Sequence, residues 1–374
     1  MELYNHPNPS FTKWVVAEGL LQEPFVVIDV GCQGGEHSRW AHLGEYLDFH
    51  GFDPIPEAIE TLRRENAGRP NRHFYDLALG NEDGRRLFNV QHDTFSSTFY
   101  SEPDTAVGRS GDVATGSREV EIRKLDTLYA RHEIPRADHI KLDCEGFEPD
   151  ILIGARQYLQ ASGVLSAAVE TNFDISPIFP QTHFYAVQAE LLAHRLLVAD
   201  YSFDRAARPS YTAALAQNPW PEPEVHWQKP LFEPGAPGTH NFLFCRDFVA
   251  EKTSPHHFPP ESSGTPVTAD RVIKTMMTFE LHGLMDRAYD HAETFADLLQ
   301  PRLDLEKAKK LLLEPPAELR YSPDLVRCMQ MIDRLRVLLH TTKAQVPLTG
   351  RQLLKAAAAR LYARLRALGR RALP

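Results

Sequence analysis

Lys141, Asp143 and Glu145 alternate along Ile140-Lys141-Leu142-Asp143-Cys144-Glu145-Gly146, a run that begins like a buried strand and ends at a glycine. Side chains two apart on a strand share a face, so Lys141 and Asp143 can form an ion pair. Carboxylates at the carboxyl end of a central strand in an open α/β sheet stand where ligands bind. A hydroxyl is a poor nucleophile while protonated, and needs a base within hydrogen-bond reach or a metal that lowers its pKa. Asp143 is the first candidate for that base, with Glu145 and Lys141 beside it. An equal reading makes Lys141 and Glu145 structural partners, with Glu145 capping the next helix. The next strand ends in Val169-Glu170-Thr171-Asn172 and should bring Glu170 and Asn172 to the same sheet edge. Oxygen ligands there would suit Mg²⁺, but carboxylates at strand ends are common without an ion, and no residue is assigned to a metal. His183 and His240 offer imidazoles of suitable acidity but read as ordinary surface or loop histidines.

A second group lies near the start, where Val26-Val27-Ile28-Asp29-Val30 runs into Gly31-Cys32-Gln33-Gly34-Gly35. Glycines let a backbone approach a ligand, and a following helix offers unpaired N–H groups. Many α/β proteins use such a turn only for packing, so the turn alone is weak. Asp53, in Gly51-Phe52-Asp53-Pro54, ends the next strand about 20 residues downstream, where a carboxylate can accept from ribose hydroxyls. Asp76-Leu77-Ala78-Leu79-Gly80 should pass the adenine edge, Asp76 either accepting the adenine amino group or capping a turn. The turn lacks the full G-x-G-x-x-G order. Asp29 would repel a pyrophosphate yet help hold the ammonium of a methionine moiety, which favours S-adenosylmethionine over NAD.

Holding these groups together requires an alternating chain. Strands are expected at Phe25–Val30, Phe49–Asp53, His73–Tyr75, His139–Leu142, Val164–Glu170, Leu196–Tyr201 and His240–Cys245, with helices at His37–Tyr46, Pro56–Asn66, Asp150–Leu159 and Phe184–His194. The result is a doubly wound, seven-stranded, mainly parallel Rossmann-like sheet. Gln91–Ser117 and Asp204–Gly238 interrupt the alternation and could cover a substrate. Phe95-Ser96-Ser97-Thr98-Phe99-Tyr100 in the first offers hydroxyls flanked by rings, suited to a sugar. The expected division is a cofactor domain over 1–250, a linker over 251–268 and a separate helical appendage over 269–374.

Four blocks resemble the FkbM family of methyltransferases: Ile28-Asp29-Val30-Gly31 with Gly34; Gly51-Phe52-Asp53-Pro54; Ala78-Leu79-Gly80 with Asp83-Gly84; and Lys124-Leu125-Asp126-Thr127-Leu128 leading to Ile140–Glu148, then Leu152 and Gly154-Ala155. The resemblance spans Val26 to about Ala155 and more weakly to about Phe248. It implies a methyltransferase sheet that binds S-adenosylmethionine, here through Asp29, Gly31, Gln33, Gly34, Asp53, Asp76 and Ala78. It also implies methylation of a hydroxyl on a sugar, glycolipid or polyketide-like acceptor. The family's Gly-Ala-Asn-x-Gly turn is replaced by Gly31-Cys32-Gln33-Gly34, which keeps an amide on a longer arm.

The 374 residues are 43% hydrophobic and 24% charged, an ordinary soluble composition, and the net charge of −9 argues against nucleic acid as a partner. The four cysteines are scattered, which suggests neither a zinc site nor a disulfide framework, and the absence of a leader pattern points to the cytoplasm. Leu354, Ala357, Leu361, Leu365 and Leu368 form a stripe among seven basic residues. It would suit an anionic membrane, but packing through the leucines on its own domain is preferred. Self-association is left open. A Rossmann-type oxidoreductase accounts only for the glycine turn and Asp53; a catalytically silent cofactor-binding scaffold would bind without turnover.

Overall fold

In the computed structural model the described residues are 3, 5–92, 94–100, 114–172, 184–206, 236–258 and 265–314. The strands are β1 (Phe25–Val30), β2 (Leu47–Asp53), β3 (Arg72–Asp76), β4 (Ala78–Leu79), β5 (Gly84–Gln91), β6 (Ala114–Arg123), β7 (His139–Leu142), β8 (Ser166–Asn172), β9 (Leu196–Ala206) and β10 (Ala236–Arg246). Seven of them form one sheet in the order β3-β2-β1-β7-β8-β10-β9. β1, β2, β3, β7 and β8 pair in parallel, while β10 runs antiparallel to β8 and β9. Every sheet strand expected from the sequence is present, in a Rossmann-like arrangement. The order reverses between β1 and β7, so a crevice opens at their carboxyl ends, where Gly31 and Asp143 follow the last strand residues.

Alternation along β1 feeds two cores. Phe25 and Val27 face one side, with Phe49 and Phe74; Val26, Ile28 and Val30 face the other, with Phe52, Ile140 and Leu142. Both faces are covered, which is why the central strands read as unbroken apolar runs.

Three expectations about the elements change. The segment expected as a helix over His37–Tyr46 is a 3₁₀ stretch, Ser38–Tyr46, kinked at Gly44. The single helix expected over Asp150–Leu159 is two, Glu148–Ile153 and Arg156–Ser162, parted at Gly154. Gln91–Ser117 is not wholly irregular: Ala114–Ser117 belong to β6, which with β4 and β5 forms a second sheet in the order β4-β6-β5. Asp204–Ala206 and Ala236–Gly238 extend β9 and β10, and 207–235 lie outside the described residues.

The expected boundary at 251–268 also moves. The compact unit containing the sheet runs Met1–Glu314, and the second, Pro315–Pro374, lies outside the described residues together with the basic leucine stripe. Helix Ala269–Leu281 is buried along almost its whole length, its Val272, Ile273, Met276 and Met277 sharing the core of Phe25 and Phe49. An apolar helix face packed on a sheet cannot be an independent appendage. Lys274, 3% exposed, donates to Asp138 Oδ2 at 2.9 Å and to the Pro24 carbonyl at 2.7 Å. Asp138 also accepts from Val26 N at 2.9 Å, so one buried ion pair ties this helix to the starts of β1 and β7. Removing one partner of a buried pair strands the other charge. Lys274→Met is expected to lower unfolding stability by about 3–5 kcal/mol in urea titration. Among the described residues no helix is long and apolar enough to cross a membrane.

Candidate active site

β1 turns at Gly31, which has φ +79° and whose N–H donates to Phe52 O at 3.0 Å. A Cβ there would lie 2.1 Å from the Asp143 carbonyl oxygen, so only glycine lets the ends of β1 and β7 meet this closely. Lys141 Nζ lies beneath that contact. It donates to Gly31 O at 3.1 Å and stands 3.4 Å from both Asp29 Oδ1 and Asp143 Oδ2. Burial opposes its charge, but Asp29 and Asp143 outweigh burial and raise its pKa well above the ordinary lysine value. Burial likewise raises Asp29, an effect that Lys141 offsets in part.

Glu170, at the end of β8, meets Asp143 across the crevice. Burial, and then a hydrogen bond to Asp143 together with its charge, raise the Glu170 pKa far above the usual carboxylate range. Two facing carboxyls cannot both ionise cheaply. The Lys141 ammonium beside Asp143 favours the negative charge there, and the raised Glu170 pKa favours the shared proton on Glu170.

A cavity of about 230 Å³ opens beside this pair. Its polar rim includes Gly31, Gln33, Asp53, Asp143, Glu145 and Glu170, and its apolar wall includes Phe52, Ile55, Ala78, Leu79, Phe88, Phe147 and Ile151. Asp53 Oδ1 accepts from Ile55 N at 2.9 Å. Burial pushes the Asp53 carboxyl up to about 6, against that hydrogen bond. Thr94, Phe95, Ser97 and Phe99 close one side, so the run singled out for its hydroxyls and rings does reach the cavity. It is anchored by paired hydrogen bonds between Thr98 and Asn89 and by Thr98 Oγ1 donating to Glu145 O at 2.9 Å. Gln33 Nε2 donates to Thr94 Oγ1, which links the glycine turn to this run.

A second, larger cleft of about 520 Å³ shares Gly31, Asp143 and Phe95 with the first and is bordered by Asp29, Gly34, Trp40, His139, Lys141 and Asn241. Asp29 and Gly34 therefore open to this side, rather than lining the first cavity.

Asp76 does not join the site. It is exposed at the end of β3, and Ala78 and Leu79 take the cavity wall instead. Glu145 lines the cavity from a left-handed turn, φ +48°, and a second carboxylate braces that turn from within. Glu148 does this: its buried carboxyl accepts from Cys144 N at 2.6 Å and Gly146 N at 3.4 Å, and burial pushes it up to about 7. The one sequence signal for it was a further carboxylate inside the first turn of the following helix. His183 lies outside the described residues, as do the side chains of Asn172 and His240.

This acid-rimmed cavity stands at the reversal point of a Rossmann-like sheet, the place where open α/β sheets bind their ligands. Residues 29–202 match the model of the methyltransferase FkbM domain, a span that contains Gly31, Asp53, Asp143 and Glu170. It is similar to the 2-O-methyltransferase NoeI of Sinorhizobium fredii, 26% identical over 150 residues, an alignment covering 37% of this chain and 61% of that protein's length. Among solved structures, methyltransferase FkbM from Methylobacillus flagellatus aligns at 13% identity and TM-score 0.31, covering 62% of this chain and 47% of that one. A precorrin-6y C5,15-methyltransferase from Geobacter metallireducens aligns at 10% identity and TM-score 0.28, covering 63% and 87%.

Proposed function

We propose that the chain transfers the methyl group of S-adenosylmethionine to a hydroxyl oxygen of a sugar, glycolipid or polyketide-like acceptor. The observation that carries this reading is the Lys141–Asp143–Glu170 array where the cavity and the larger cleft meet. The similar protein NoeI is a 2-O-methyltransferase, which supports oxygen as the acceptor atom.

The residues present fit the cofactor. Gly31, Gln33 and Asp53 rim a cavity with an apolar wall, and Asp29 Oδ1 beside it is buried without a hydrogen-bond partner. Asp53 would hold the ribose hydroxyls, Phe52, Leu79, Phe147 and Ile151 the adenine, and Asp29 with the Gly31 backbone the amino-acid end. S-adenosylmethionine, when bound, supplies a methyl group on a sulfonium leaving group. Asp143 accepts the acceptor's hydroxyl proton at its carboxylate. Lys141 keeps Asp143 ionised, and the neutral Glu170 orients it by hydrogen bonding. The remaining catalysis is positioning in the cleft shared by both groups. The free thiols of Cys32, Cys144 and Cys245 support action in a reducing compartment such as the cytoplasm.

Calorimetric titration with S-adenosylhomocysteine and, separately, NADH tests the cofactor assignment. Binding of the first alone is expected; binding of NADH instead, or of neither, overturns it. The Asp53 carboxyl adds a pH dependence. Protonation removes the acceptor of the ribose hydroxyls, so S-adenosylhomocysteine affinity is expected to fall as pH drops through about 6, approaching about tenfold per pH unit below it. The same titration on Asp53→Asn should be weaker and flat with pH.

A further inference from the structure

At the amino end of β2, remote from the crevice, Asp48 and His50 share a face of the strand, and His73 of β3 is the direct neighbour of His50 in the parallel register. Five residues of strand, about 16 Å, separate Asp48 from Asp53, so this group is not part of the cofactor cavity. Asp48 Oδ1 lies 3.2 Å from His50 Nε2 and 3.4 Å from His73 Nε2. The approach is too poorly aligned for hydrogen bonds: Asp48 Oδ1 and His50 Nε2 are both buried without a hydrogen-bond partner.

We propose that Asp48, His50 and His73 form a zinc site that ties the edge strand β3 to β2. Ligand atoms about 2.05 Å from a tetrahedral Zn²⁺ stand about 3.3 Å apart, the spacing that Asp48 Oδ1 keeps to both imidazoles. One carboxylate and two histidines are an established zinc donor set, and it leaves a fourth position for water. The outer shell is present as well. Tyr75 OH lies 2.9 Å from His50 Nδ1, which fixes the ring and leaves Nε2 as the coordinating nitrogen. The two imidazoles are stacked at 4.6 Å with 22° between planes. A turn of the His73 ring, whose side chain is 42% exposed, aims both at one ion. That exposure also gives the ion its entry path. Arg72, the nearest cation on β3, points to the opposite face, where it donates to Glu36 at 2.6 Å and to Leu47 O at 2.6 Å, and so does not fill the site.

Calorimetry of the full chain, stripped with a chelator and titrated with ZnCl₂, tests this, with CoCl₂ as a second probe for the visible absorption of tetrahedral coordination. One equivalent binding at micromolar Kd or tighter is expected. His73→Gln, at an exposed position that spares the fold, and Asp48→Asn should each weaken that equivalent at least tenfold and abolish the cobalt bands. A wild-type chain that takes up no zinc overturns the proposal. So does a His73→Gln chain, with unchanged circular dichroism, that binds zinc with the same stoichiometry and affinity, which would assign the ion to other histidines among the 17.

Discussion

Asp143→Asn is expected to lower kcat about 10²–10³-fold while S-adenosylhomocysteine affinity changes only a few-fold, because general-base assistance contributes about that much. The asparagine keeps the side chain's shape but cannot take a proton. Glu170→Gln supplies the opposing measurement. Glu170 is held neutral by burial and by Asp143, so an amide reproduces its donor role and kcat should stay within about fivefold. Steady-state and single-turnover kinetics of the two variants separate the roles. Normal turnover in Asp143→Asn, or collapse in Glu170→Gln with Asp143→Asn active, would transfer the base assignment from β7 to β8.

Gly31→Ala carries the second large effect. A left-handed backbone costs a residue with a Cβ about 1–2 kcal/mol. The new Cβ also meets the Asp143 carbonyl at 2.1 Å, which forces the β1 and β7 ends apart. Such overpacking adds about 1–3 kcal/mol, for a combined loss of about 2–5 kcal/mol in denaturant unfolding. The separation breaks the Lys141 contact with Gly31 O, so S-adenosylhomocysteine binding should be lost even in the folded fraction. Gly68→Ala is the control: its φ is +93° but nothing lies within 4 Å of its Cβ position, so it should show only the backbone cost and bind normally. Equal behaviour of the two variants would refute the close-approach argument.

Much of this arrangement was legible from residue order. The central strands are buried on both faces, and their apolar runs, Phe25–Val30 and His139–Leu142, have matching boundaries in the structure. The second sheet was not legible, because β5 and β6 are only partly buried and carry Arg85, Arg86, Glu119 and Glu121 where a buried strand would carry apolar residues. Strand-end carboxylates were easy to find and hard to rank. Asp53 and Asp76 are direct neighbours in the register of β2 and β3, and burial alone admits the first and leaves the second in solvent. The neutral state of Glu170 depends on burial and on Asp143 opposite, and the anchoring by Glu148 on a carboxylate folding back over its own turn. Helix Ala269–Leu281 looked like an appendage because it follows a Pro/Ser/His-rich stretch, yet its apolar face is one wall of the sheet's core.

Glu280, near the end of that helix, accepts from Phe11 N at 2.8 Å and from Thr12 N and Oγ1, each at 2.7 Å, across 268 positions of sequence. The helix Ser10–Ala17 and the helix Ala269–Leu281 therefore complete one face of the core together. During synthesis, every strand through Arg246 emerges before Val272, Ile273, Met276 and Met277, which complete the cover of Phe25, Val27 and Phe49 on this face. Native contacts of such long range must wait for a loop of that length to close, which makes folding slow and leaves the bare face exposed to association in the interval. The nascent chain thus keeps part of a greasy sheet face unroofed until helix Ala269–Leu281 leaves the ribosome, and association is expected to be fastest in that interval.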